Sequence, residues 1–317
     1  MAKMIVVTGS SGYIGGQTML MLKDAGHRVI GVDTVAPPDH LRGVPDRFYQ
    51  EDFARDHGLQ LLDQFSPWAI IHCAGSSLVG PSLGRPADYY NNNFVKTKTM
   101  LDRIVDHKIP TRVIFSSSAA CYGEPVMTPC SEVDPCEPIS PYGESKLMIE
   151  WMLRSYQRAY NLDFVAFRYF NACGADSQRR HGQRSGATHI MARVLESLRD
   201  DREFMLNGDD YATSDGTCIR DYVHVEDIAA AHIRAMDREI PSDVYNLGTK
   251  TGYSNREIMA AAERITGRTL KMSVGPRREG DPAMLTASSD RFAEVSGWRP
   301  RFGLDHMLEH VWAWYSR

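Results

Sequence analysis

Tyr142 and Lys146 stand four residues apart in the stretch SPYGESK (140–146), so a helical period of 3.6 puts both side chains on one face. Pro141 suits a first helical turn and Glu144 the positive end of the helix dipole, which places the pair at a helix start. A phenol beside an ammonium is a proton-transfer pair, because the cation favours the phenolate. The chain's 14 Tyr and 8 Lys would give about 0.35 such pairs by chance, so the spacing alone carries no function. Lowering a phenol from ~10 to ~7 takes roughly 4 kcal/mol, whereas one cation ~6 Å away at an effective dielectric of ~20 supplies roughly 2.8 kcal/mol. A second positive charge and a second hydroxyl are needed. Ser118 offers the hydroxyl: it is the third serine of RVIFSSS (112–118), a β-branched run that ends where an open sheet meets its ligand. The alternative for the serine run is a polar loop of capping hydroxyls.

The positive charge is suggested upstream. MIVV (4–7) reads as a buried strand, followed by Gly9, Gly12 and Gly15 in GSSGYIG and then an apolar-periodic helix. Gly9 permits the tight turn, Gly12 lets the backbone approach a pyrophosphate, and Gly15 lets the helix pack on the strand. The helix N-terminus then offers free N–H groups and a positive dipole to phosphates. A purely structural glycine turn is the other reading. Asp33 ends the next strand, RVIGVD (28–33), 18 residues beyond Gly15, placed to accept from a ribose diol and to repel a 2′-phosphate. The expected cofactor is therefore NAD, whose oxidised ring supplies the missing cation. Asp52, after a short segment at 48–52, is a candidate for the adenine edge, with a solvated loop acid as the alternative.

Further strands are expected at AIIHCAG (69–75) and FVAFRYF (164–170), with helical stretches between. This alternation predicts an α/β fold: a doubly wound, parallel Rossmann-type sheet with a smaller C-terminal substrate-binding α/β domain. The alternation weakens near residue 172, so residues 1–172 are expected to form the cofactor domain and 173–317 the substrate domain. VYNLG (244–248) suggests that a segment of about 219–250 returns to the first domain. A net charge of −4 argues against nucleic-acid and polybasic membrane partners, and no apolar run approaches the ~20 residues of a membrane span. The start of the chain runs directly into a strand, without the pattern of a signal peptide. The six cysteines show no metal-ligand spacing, so no metal is expected; free thiols in a reducing cytosol fit better than a Cys130–Cys136 bridge.

The stretches TGSSGYIG, HCAG, PADYYNNN, FSSSAACYG, SPYGESK, RYFNACGA, DGTCIRDYVHVEDIA and PRREGDPA together resemble the extended short-chain dehydrogenase/reductases, and within them the UDP-glucose (UDP-galactose) 4-epimerases. The resemblance implies a cytoplasmic, homodimeric isomerase with bound NAD that acts on a UDP-sugar through a 4-keto intermediate. It implies Ser118, Tyr142 and Lys146 as the catalytic triad. Cofactor contacts would add Tyr13, Ile14, Thr34, Phe53, Cys73, Ala74, Gly75, Ser77, Asn92 and Phe170, with core packing as the alternative for Phe170. The sugar nucleotide would meet Asn171, His189, Ile190, Asn207, Arg220, Tyr222, Arg278, Asp281 and Met284. Guanidinium forks suit a diphosphate, which favours Arg220 and Arg278. The chain departs from the family's pattern at Ser77, where a lysine is common, and at Asn207, where an aromatic commonly lies under the nucleotide. GDPAM is one residue short, which shifts the alignment at Met284. Ala119 and Ala120 cannot move protons, which argues against a dehydratase. Epimerases of N-acetylhexosamines, uronic acids or pentoses, and a non-catalytic NAD-sensing protein of this fold, are the alternatives.

Overall fold

The computed structural model describes residues 1–125, 127–186, 189–277 and 282–317. The first strands are β1 (Met4–Thr8), β2 (Arg28–Asp33), β3 (Arg47–Gln50), β4 (Ala69–His72), β5 (Arg112–Ser118) and β6 (Asp163–Tyr169). Then come β7 (Asn171–Cys173), β8 (Phe204–Asn207), β9 (Ile219–His224), β10 (Asp243–Leu247), β11 (Gly252–Ser254), β12 (Met272–Gly275) and β13 (Met284–Leu285). The early helices are α1 (Tyr13–Asp24), α2 (Asp56–Phe65), α3 (Val79–Gly84), α4 (Pro86–Tyr89), α5 (Lys96–Asp106) and α6 (Pro141–Tyr160). The late ones are α7 (Ile190–Asp200), α8 (Val225–Arg234), α9 (Asn255–Thr266), α10 (Asp290–Ser296) and α11 (Leu304–Tyr315).

Seven parallel strands form the main sheet in the order β10-β6-β5-β4-β1-β2-β3. Both faces are covered, which is why these strands read as continuous β-branched runs. Ile5 and Val7 of β1 pack toward Met19 and Leu22 of α1 and Ile228 and Ala231 of α8. Val6, one residue between them, points the other way, toward Met100 and Leu101 of α5 and Ile149 and Leu153 of α6. Chain order reverses at β1, whose neighbours are β4 and β2, and a ligand crevice opens at such a reversal, beyond the carboxyl ends of the strands.

α6 starts where its sequence dictates. The Ser140 hydroxyl accepts the Gly143 N–H at 3.2 Å, Pro141 occupies the first turn, and Asn161 ends the helix in a left-handed conformation.

The late segments build a smaller unit. β9 pairs with β7, β11 and β13, β8 pairs with β12, and α7, α9 and α11 enclose a core of Leu195, Ile258, Met307 and Leu308. The expected return of 219–250 needs dividing. α8 and β10 pack on the main sheet, but β9 belongs to the smaller one, because its backbone partners are the strands at 171–173, 252–254 and 284–285. Among the described residues no helix is long and apolar enough to cross a membrane.

Candidate active site

The loop after β1 turns on two close approaches. Gly9 has φ +69°, and a Cβ there would sit 2.6 Å from the Ala74 nitrogen; a Cβ on Gly15 would sit 2.2 Å from the Gly9 carbonyl. These glycines let the loop and the start of α1 close against Cys73-Ala74-Gly75 at the end of β4. Gly12 is exposed and caps α1 with no side chain, and the first turn holds no acid. Backbone N–H groups there are left to an outside anion, so the residues fit a pyrophosphate. Asp33 is held in place by the Ser11 N–H at 2.9 Å and the Val35 N–H at 3.0 Å, one on each carboxylate oxygen. Thr34 and Ser77 are exposed, and Ile14 is half-buried against the core.

Asp52 is not a solvated loop acid. Lys96 reaches it at 2.7 Å and also donates to Asn92 Oδ1 at 2.9 Å, while Asn92 Nδ2 donates to Ser76 Oγ at 3.0 Å. Burial works to raise the Asp52 pKa, but Lys96 and the Ala54 N–H hold the carboxyl below its ordinary value. Beside it the Phe53 ring meets His72 edge-on, centroids 4.8 Å apart. Tyr13 reaches across the molecule, its hydroxyl donating to the Gly174 carbonyl at 2.6 Å. Phe170 is buried among Ala119, Tyr122, Cys130 and Ala287, as the packing alternative has it.

Ser118, Tyr142 and Lys146 converge at the end of β5. The Lys146 ammonium lies 5.9 Å from the Tyr142 ring centroid and donates to the Ser116 carbonyl at 2.8 Å. The Ser118 hydroxyl accepts the Ala120 N–H at 3.2 Å and interacts with the Tyr142 phenol. Burial pushes the phenol up to about 12, with Ser118 pulling the other way. It also pushes the ammonium down to about 8, opposed by Cys121, Cys73 and Glu150. In the protein alone the phenol's net shift is thus upward, with burial its largest cause, against the lowering that the Tyr142–Lys146 spacing suggests. Among the described residues no group of acids, cysteines and histidines is arranged to hold a metal, and all six cysteines are free thiols.

Two supporting residues escaped the sequence reading. Asn93 is buried on a π-helical turn (Tyr90–Val95), its Oδ1 accepting the Ser76 N–H at 2.7 Å and its Nδ2 donating to Ser76 O and to Ser145 Oγ, both at 3.0 Å. It locks the loop after β4 onto α6, and the run of three asparagines was its only signal. Glu150 lies one further turn along the face that carries Tyr142 and Lys146, a spacing visible in the sequence.

The smaller sheet gathers several nucleotide candidates. Asn171 on β7 is in register with Tyr222 on β9; Arg220 and Ile219 of β9 are in register with Leu285 and Met284 of β13. Asn171 Nδ2 donates to the Asp221 carbonyl at 2.8 Å, and Asp221 itself accepts the Thr249, Lys250 and Ala287 N–H groups, tying β9 to β10's exit. Arg220 and Tyr222 are buried. Met284 is 41% exposed, which removes the reading of it as a core residue. Its sulfur lies 3.2 Å from the Thr128 hydroxyl. Asn207 pairs in register with Gly275, and His189 precedes α7, in contact with Gln183, with Ile190 the first helical residue. Arg278 and Asp281 lie outside the described residues.

Comparison with known proteins adds an independent line. Residues 5–248 match the model of the NAD dependent epimerase/dehydratase family. A curated UDP-glucose 4-epimerase of Halalkalibacterium halodurans is 42% identical over 98% of this chain and 95% of its own. The crystal structure of UDP-glucose 4-epimerase from Brucella ovis in complex with NAD superposes with a TM-score of 0.93 at 37% identity, covering 98% of each chain. That of the Bifidobacterium longum enzyme in complex with NAD+ and UDP gives 0.91 at 32% identity, covering 99% of this chain and 98% of that one. With its glycine loop, its serine–tyrosine–lysine cluster and relatives alike from end to end, the chain belongs to the NAD dependent epimerase/dehydratase family.

Proposed function

We propose that the protein is an NAD-dependent 4-epimerase that interconverts UDP-glucose and UDP-galactose. The observation that carries this reading is the meeting of Ser118, Tyr142 and Lys146 beside the Gly9–Gly15 loop, in a chain whose end-to-end relatives are UDP-glucose 4-epimerases. NAD, when bound, takes hydride from C4 of the sugar and returns it to the opposite face. Tyr142 accepts the proton of the 4-hydroxyl and gives it back after the 4-keto sugar has turned over. Ser118 holds the same oxygen by a hydrogen bond. Lys146 supplies the cation that, with the oxidised ring, brings the phenol toward the working pH, and it is a donor for the cofactor's ribose. Because burial pushes the phenol up to about 12 in the protein alone, the cofactor's positive charge is the second cation that brings the base toward the working pH.

The cofactor is proposed to contact Gly9, Gly12, Tyr13, Ile14, Gly15, Asp33, Asp52 and the Cys73–Gly75 loop, with Asn92 beside it. The nucleotide is proposed to lie along Asn171, Arg220, Tyr222 and the neighbouring β13, with His189, Ile190, Asn207, Arg278 and Asp281 completing the site. Residues 1–172 with α8, β10, α10 and Trp298 then form the cofactor half and the rest the substrate half. The protein is proposed to act in the cytoplasm as a homodimer, a reading supported by the large apolar Trp151 left exposed on α6. Incubation with UDP-glucose, UDP-galactose and other UDP-sugars, followed by NMR of the C4 configuration, tests the activity. Failure to interconvert the first two would overturn it.

A further inference from the structure

Glu150 follows Lys146 by four residues and Tyr142 by eight, so one face of α6 carries all three. Its carboxylate is buried at 1% exposure. It accepts the Ser117 hydroxyl of β5 and the Arg168 guanidinium of β6, whose Nε donates at 3.0 Å. The Cys121 thiol lies 3.7 Å away, and the Arg168 guanidinium covers the Tyr122 ring at 4.8 Å. An ion pair this deep is weak evidence for stability, because an apolar pair of similar volume joins two elements as well. Its placement behind the triad asks for another reason.

We propose that Glu150 is a positioning residue for the Tyr142–Lys146 pair: it ties the serine end of β5 to α6 through Ser117, and it sets a fixed negative charge one helical turn from Lys146 that keeps this lysine cationic in a desolvated site. The proposal rests on the reading of Tyr142 and Lys146 as the proton-handling pair.

The groups facing Lys146 single out this carboxylate. β5 presents the Ser116 carbonyl and the Phe115 ring. From β4 and its loop come His72 and Cys73. His72 is fully buried between the Thr8 and Thr97 hydroxyls, and burial pushes it down to about 3, so it stays neutral. Burial pushes the Cys73 thiol up to about 11 and the Cys121 thiol well up, so both stay protonated near neutrality. α6 itself presents Tyr142 and Glu150. Facing Glu150 in turn are Arg168, Cys121 and, from the loop before α6, Cys136. Among the described groups facing Lys146, Glu150 is thus the one carboxyl, and it is paired with Arg168.

Glu150→Gln keeps the acceptor for Ser117 and removes the charge. Because it leaves Arg168 unpaired, Glu150→Gln/Arg168→Gln is made beside it to keep the fold. In cofactor-free protein, Lys146 is titrated by NMR of carbon-13-labelled lysine, its signal identified by its absence in Lys146→Met. Loss of an anion this close lowers the proton affinity of an ammonium at least tenfold at an effective dielectric of ~20. The expected result is a Lys146 titration about one pH unit or more lower in Glu150→Gln and lower by less in the double variant, where loss of the Arg168 cation offsets part of the lost attraction, with the alkaline limb of the kcat profile moved down by the same amount in each. A folded Glu150→Gln protein whose Lys146 titration is unmoved, or a folded double variant whose titration is not lowered at all, overturns the proposal. Should the wild type epimerise no UDP-sugar, the functional reading falls, while the Lys146 titration still decides the role of Glu150.

Discussion

Lys146 and Ser116 are joined by a hydrogen bond of 2.8 Å from the ammonium to a strand carbonyl, and this bond sets where the lysine's charge sits relative to Tyr142. The carbonyl belongs to β5 and the ammonium to α6, so strand and helix are fixed at the point where Ser118 meets the phenol. The triad's geometry is therefore a packing property of two elements, and it follows that the phenol can be altered without disturbing its neighbours.

Tyr142→Phe removes the hydroxyl and keeps the buried ring. Folding and cofactor binding are expected to persist, while turnover falls by roughly 10²–10⁴-fold, the ordinary loss for a general acid–base group. Steady-state kinetics beside a thermal melt checks this; near-wild-type turnover would remove Tyr142 as the base.

The two buried groups make opposite statements about pH and stability in the cofactor-free protein. Lys146 titrates at about 8 when folded against a reference of 10.5, so between these values the unfolded chain holds more protons and stability from this group rises with pH. Tyr142 titrates at about 12 against 10.0, so its contribution falls as pH climbs through that window. Denaturant titrations from pH 7 to 11 on wild type, Lys146→Met and Tyr142→Phe should show each slope disappear with its residue. Adding NAD should bring the phenolate absorbance to lower pH; an unmoved titration would contradict the electrostatic account of the base.

Gly15→Ala places a methyl 2.2 Å from the Gly9 carbonyl, a backbone atom without room to give. Overpacking of this kind costs about 1–3 kcal/mol. The loop must open to admit the methyl, so NAD affinity is expected to fall more than stability, by tenfold or more in equilibrium dialysis. Unchanged affinity would mean that the cofactor does not lie on this loop.

Arg220→Lys keeps a charge and loses the planar fork suited to a diphosphate. UDP binding is expected to weaken by about tenfold with NAD binding little changed, measured by calorimetry with each ligand. Equal losses would indicate a fold defect, and no loss would take Arg220 out of the site.

Met284 stands 41% exposed on β13, next in register to Ile219, and its unbranched side chain has three rotatable bonds. UDP-glucose and UDP-galactose are expected to be preferred over the N-acetyl sugars by roughly 5–30-fold, the equivalent of about 1–2 kcal/mol to move one flexible side chain. Met284→Tyr should abolish the weaker activity and spare the stronger. A wild type that prefers N-acetyl sugars would show that Met284 does not border the sugar.

Local patterns decided much of this protein. The Tyr142–Lys146 spacing, the Ser140–Pro141 helix start, the glycine turn and Asp33 at the end of its strand were legible because each depends on neighbours within a few residues, where period, capping and φ preference act. The partners of those residues were not legible. Asp52 gained Lys96, Asn93 locked onto Ser76 and Ser145, and β9 left the main sheet for strands about 30 to 65 residues distant on its C-terminal side and about 50 on its N-terminal side. Charge state depended most on tertiary structure. The sequence places an ammonium near a phenol, but it is burial among β4, β5 and α6 that raises the phenol and lowers the ammonium.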